Sequence, residues 1–151
     1  MLPAFAPDEI RIDRPTREAR LKWVMVVDHD LNPGLIANAV GCLAASVGNA
    51  VPTLLGPGGA DAVGDHHPGL PWTGCAILAA DREKIAAVRA KAIGKVGVHL
   101  VDMPEPAQTS RVYQEYLDTL AKSAELSYYA ISLVGPRNLV DKLVGGLRLL
   151  G

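Results

Sequence analysis

The stretch "KWVMVVDHDLNPGLIAN", Lys22 to Asn38, decides how the chain is read. Its first half is a continuous apolar and largely β-branched run with no polar alternation, the pattern of a strand covered on both faces. Asn32-Pro33 then supplies an N-cap side chain ahead of a residue whose fixed φ suits the first helical position. The spacing that follows predicts a helix from Pro33 to about Val47. On a helical wheel Leu35, Ile36, Ala39, Val40, Leu43 and Val47 share one arc, while Asn38, Cys42, Ser46 and Asn49 share a smaller polar one. A buried strand running straight into such a helix starts a layered α/β fold.

Working outward, the same alternation repeats. "TGCAILAAD" (73–81) and "VGVHLVDM" (96–103) read as strands, separated by "REKIAAVRAKAIG" (82–94), a helix with Ile85, Val88 and Ala92 inward. Val112, Tyr116, Leu117 and Leu120 give helical spacing, "YYAISLVG" (128–135) gives a fourth strand, and a closing helix is expected to begin at Gly135-Pro136. Residues 56–71 hold so many glycines and prolines that neither period persists, so they form a long loop. Four strands alternating with helices imply a three-layer α/β/α sandwich whose sheet is largely parallel or mixed. Ligands in such sheets gather where strands end, so loops 28–34 and 102–108 and the Gly135-Pro136 turn are the expected site.

The chain has 151 residues, enough for one core, with residues 1–20 as an N-terminal extension and 21–151 as a single domain. Lys plus Arg (15) nearly balances Asp plus Glu (16), and the net charge of -1 provides no cationic field for nucleic acid or an acidic membrane. Arg11, Arg14, Arg17, Arg20 and Lys22 cluster near the start, but Asp8, Glu9, Asp13 and Glu18 interleave with them as a solvated mixed-charge face. Residues 1–20 are too charged for a signal peptide, and Asn38, Ser46 and Asn49 interrupt the one run long enough to span a membrane. Cys42 and Cys75 match no metal or redox spacing, so a reduced cytoplasmic setting is expected.

The tail "GPRNLVDKLVGGLRLLG" (135–151) resembles the closing signature of the type 2 peptidyl-tRNA hydrolases, and residues 22–38 resemble their opening. A closer resemblance is to a bacterial family of the same fold known as domain of unknown function number two thousand. Its anchors correspond to Asp30, Leu31, Gly34 and Asn38, then Asp61, Gly64, His67, Pro68 and Gly69, then Asp102, Ala107-Gln108, Tyr113 and Tyr116. The resemblance implies a peptidyl-tRNA hydrolase type 2-like fold. Where those hydrolases carry Lys, Gln and His along the first helix, this chain has Leu35, Ala39 and Cys42. The missing lysine removes a charge suited to phosphate or a developing oxyanion, so cleavage of peptidyl-tRNA is not expected.

The candidate site follows. Asp102, at the end of the third strand, resembles the aspartate the hydrolases keep near their cleft, and such a carboxylate can orient water or act as a general base. Asp30 is the second catalytic candidate. Asn32 with the amides of Gly34 and Leu35 offers an anion site at the helix start, and Asn38, His67 and Gln108 complete the expected ligand contacts. Asn38, Cys42 and Ser46 fit a cleft lining, but small helix–helix contacts explain the same residues and are the preferred reading for Cys42. Asp61, Asp65, His66 and His67 lack metal-ligand spacing, so no metal or other cofactor is expected. Three functions remain open: binding of a small anionic or acyl ligand, hydrolysis of an aminoacyl or peptidyl ester, and non-catalytic assembly as a homodimer through the apolar tail.

Overall fold

A computed structural model describes residues 1–151. The Val-rich run is strand β1 (Leu21–Asp28), in which only Lys22 escapes burial. Helix α1 (Pro33–Ala50) begins where expected, capped by Asn32, and it buries Ala39, Leu43 and Val47 from the centre of the apolar arc. Asn38, Cys42, Ser46 and Asn49 are all exposed, so the polar arc is the solvent face and makes no helix-packing contact. The Gly-rich loop contains a small hairpin, β2 (Gly59–Ala60) paired with β3 (His66–His67). Its base requires glycine, because a Cβ on Gly69 would lie 1.9 Å from the Gly56 carbonyl oxygen.

The rest of the chain alternates as read. It comprises β4 (Ala76–Ala80), α2 (Arg82–Ala92), β5 (His99–Pro104), the short α3 (Glu105–Thr109), α4 (Tyr113–Lys122), β6 (Tyr128–Pro136) and α5 (Arg137–Leu143). The closing helix starts after Gly135-Pro136, because those two residues still pair with Lys22 and Leu21 as the end of β6.

The four-stranded sheet has the order β4-β1-β6-β5. β1 is parallel to β4 and antiparallel to β6, and β6 is antiparallel to β5. Three strands therefore run one way with a reversed strand between two of them, a mixed sheet. The reversal splits the expected site: loops 28–34 and 102–108 lie at one end of the sheet, and the Gly135-Pro136 turn lies at the other.

Helices cover both faces. Leu21, Trp23, Met25 and Val27 pack with Ala39, Leu43 and Val47 of α1. Val24 and Val26 pack on the other face with Ile85, Val88 and Ala92 of α2 and Val140 of α5. The period-2 alternation of one strand thus feeds two separate cores. The fully buried Ser132 hydroxyl is satisfied, since Trp23 Nε1–H donates to Ser132 Oγ at 2.9 Å.

Residues 1–20 form a strap across the α1 side. Phe5 is 4% exposed and its ring meets Trp72 at a centroid distance of 4.8 Å. Arg137 donates to the carbonyls of Ala19 and Thr16. The interleaved charges of this segment pair locally, Arg11 with Asp13, Arg14 with Glu18 and Arg20 with Glu9. At the other terminus, Ala79 N–H donates to the Arg148 carbonyl and Leu150 N–H to the Ile77 carbonyl, so the tail adds a short antiparallel bridge to the free edge of β4. That contact covers part of an edge that would otherwise present unpaired backbone.

Candidate functional site

The end of the sheet where β1, β4 and β5 finish is organised by one carboxylate. Asp28 closes β1 and is the one charged residue among the buried set. One of its oxygens accepts the Asp30 N–H at 3.0 Å and tightens the turn, and the other accepts Arg82 Nε–H at 2.7 Å. Arg82 also donates to Glu105 and Ser127 and lies over the Tyr129 ring. One guanidinium from the first turn of α2 therefore ties β1, α3 and the start of β6 together. Every charge in this hub is paired, which is what burial of Asp28 requires.

The same geometry separates the expected site residues. Asp102 pairs in register with Ile131, on the α2 face of the sheet, and its carboxylate accepts Arg89 Nε–H at 2.6 Å. Arg89 in turn lies over the Tyr128 ring. The residue of this strand end that faces α1 is Met103, which is buried in the α1 core. Asp102 and the start of α1 thus lie on opposite faces of the sheet and share no hollow. Tyr116 lies with Asp102, and burial first, then the Asp102 charge, raises its phenol above the usual range.

Leu35 also departs from expectation, because its amide is already used: Asn32 Oδ1 accepts it at 3.0 Å, and the Ile36 N–H goes to the Asn32 carbonyl. Gly34 keeps the free amide. His67 is in the β2–β3 hairpin, exposed, with Nε2 3.3 Å from Asp61 Oδ2. It lines a hollow with Ile12, Gly56 and Trp72, away from α1's start. His67 and the loop amides hold the Asp61 carboxyl below its usual range. Gln108 is half-buried on α3, next to Ala107, which packs against the α1 core. Asn38 is exposed on the outer face of α1. Burial pushes the Cys75 thiol up to about 12, which disfavours the thiolate form.

What the structure does bring to the β1–α1 turn is a cleft of about 830 Å³ between α1, the edge of β4 and the tail. Leu31, Ile36, Val40 and Ile77 form its apolar walls and Leu150 closes it. This lies within the usual size range for small-molecule sites. Two polar side chains stand at its mouth. His29 is oriented by Asp30, whose Oδ1 lies 3.1 Å from His29 Nδ1. Arg148 is exposed and forms no ion pair. Sequence reasoning named Asp30 but missed both His29 and Arg148. His29 was legible as the neighbour of Asp30 in the same turn. The position of Arg148 depends on the tail pairing with β4, which no local pattern announces.

Comparison with known proteins supports the architecture. The structure of Atu0240, a protein of unknown function from Agrobacterium tumefaciens strain C58, superposes with a TM-score of 0.80 at 15% identity, covering 87% of this chain and 98% of that one. Among curated proteins none matches the sequence. The match to the family described as "Protein of unknown function (DUF2000)" runs over residues 21–151, beginning at the first residue of β1 and leaving the strap outside it, and the chain belongs to that family.

Proposed function

We propose that this protein binds a small ligand with an apolar acyl portion and an anionic head, held in the cleft beside the β1–α1 turn. The observation that carries this reading is the pairing of an apolar interior with an unpaired arginine at its mouth. Leu31, Ile36, Val40 and Ile77 would take the acyl chain, and Arg148, with the bidentate geometry of its guanidinium, would take the carboxylate or phosphate. The resemblance of residues 22–38 to the opening of the type 2 peptidyl-tRNA hydrolases supports a ligand at this turn, and the absence of their lysine, with Leu35 in its place, favours a small molecule over tRNA.

Titration calorimetry with straight-chain carboxylates of increasing length tests it. Each methylene that enters the cleft is worth ~0.8 kcal/mol, so affinity should rise about fourfold per carbon until the cleft is full. The matching alcohols should bind more weakly, and Arg148→Ala should erase the difference. Absence of saturable binding at any length, or equal binding of the alcohols, overturns the reading.

One observation favours a second, hydrolytic reading. With Nδ1 facing Asp30, His29 has Nε2 free at the cleft mouth, where it would take a proton from water attacking an acyl ester. Release of p-nitrophenol from p-nitrophenyl acyl esters, lost in His29→Gln, is the expected result. Equal rates in wild type and variant dismiss it.

A further inference from the structure

A second hollow, of about 530 Å³, lies on the opposite face of the sheet, between the end of α2 and α5. Its floor is apolar, made by Ile93, Leu139 and Leu143, and its rim carries Lys91, Lys95 and Lys142. None of the three lysines forms an ion pair, whereas Arg82 and Arg89 of α2 both do. The one carboxylate adjacent in sequence, Asp141, is taken by Lys22. Two of the lysines stand in the last turns of their helices, where a positive charge favours the helix dipole. Lys95 is outside both helices, so the dipole does not explain the convergence of all three.

The turn beyond α2 adds to the apolar character. Gly94 and Gly97, at φ of 75° and 81°, hold a tight turn that pushes its side chains outward. Ile93 is 55% exposed and Val96 is 94% exposed. In a molecule of net charge -1, an apolar patch ringed by three unpaired cations and no free carboxylate is a local reversal of sign.

We infer that this hollow docks an acidic, apolar peptide segment of a partner protein, one in which Asp or Glu side chains alternate with Leu- or Ile-type ones. Charge complementarity selects the carboxylates, because lysine ammonium groups on flexible stems meet point charges without demanding a fixed angle. The exposed Ile93 and the half-buried Leu139 and Leu143 select the apolar residues, which ordinary phosphates and polyphosphates do not supply. The surface is independent of the acyl cleft, which lies on the α1 side.

Fluorescence anisotropy with a labelled eight-residue peptide alternating Glu and Leu tests the inference. Saturable binding is expected, weakening as salt rises. The triple variant Lys91→Gln, Lys95→Gln, Lys142→Gln should bind about tenfold more weakly, the effect expected of three exposed ion pairs. Ile93→Asp should abolish binding while circular dichroism confirms an unchanged fold. A peptide alternating Gln and Leu that binds equally well overturns the inference. So does a single-stranded RNA oligomer of the same length that competes better than the peptide, or a triple variant that binds as wild type does.

Discussion

The two ends of the chain are fastened to the body by opposite means. The N-terminal strap is held by a side chain: Phe5, the chain's single phenylalanine, is buried against Trp72, its amide donates to Thr53 Oγ1, and Arg20 and Arg137 clamp the backbone on either side. The C-terminal tail is held by backbone, through two hydrogen bonds to β4, while Leu149 remains 66% exposed. A buried aromatic resists removal far more than two edge hydrogen bonds do. The strap is therefore a permanent part of the fold, whereas the tail is the more easily displaced wall of the acyl cleft.

Phe5→Ala should sharpen this contrast most, at a cost of about 3 kcal/mol in urea unfolding. A loss below about 1 kcal/mol would mean that the strap only rests on the surface. Ending the chain after Leu147 should cost less, about 1 to 2 kcal/mol for two lost backbone hydrogen bonds. It should nevertheless abolish carboxylate binding in calorimetry, since Arg148 and Leu150 go with it.

Acid should loosen the strap before the tail. Arg20, then the Ala6 amide, hold Glu9 at about 2, below the ordinary glutamate value of 4.5. The folded pKa is the lower one, so this contribution is complete above about 4.5 and is lost as pH falls toward 2. Pepsin cutting, taken relative to an unstructured control peptide because the protease's own activity varies with pH, should accordingly begin in residues 1–20 across that window. Glu9→Gln should weaken its pH dependence, with the Arg11-paired Asp13 supplying the remainder.

The smallest expected effect concerns His99. Its Nε2 is buried with no hydrogen-bond partner, and burial lowers its pKa from 6.5. The unfolded chain binds the proton more readily, so stability should decline as pH falls below about 6.5 and level off once the folded form is protonated as well. His99→Phe should flatten that decline in thermal melts, and an unchanged slope would assign it to another group.

Local pattern carried much of the architecture. The Val-rich strand, the Asn32 cap and the apolar arc of α1 are written in consecutive residues, and the structure follows them. Facing is another matter. Asp102 and Met103 are neighbours in sequence, yet they point to opposite faces, and which one meets α1 is set by pairing with β6 almost thirty residues away. The hub of Asp28, Arg82, Glu105 and Ser127 was illegible for the same reason: β1–β4 pairing brings Arg82 to Asp28, and Glu105 and Ser127 join only once the reversed strand is inserted. Phe5 gave no periodic signal at all. Its partners, Thr53 and Trp72, flank the Gly- and Pro-rich loop 56–71 on either side, where no local period links them.

The reversed strand has one more consequence, for the growing polypeptide. β6 is the last strand to be made, yet it lies at the middle of the sheet and is the sole neighbour of β5. A ribosome-bound intermediate ending before residue 128 can join β1 to β4, but its β5 has nothing to pair with and one side of β1 stays open. The nascent chain must therefore carry two sticky borders until its final segment emerges, and that interval is when chaperones have most to protect.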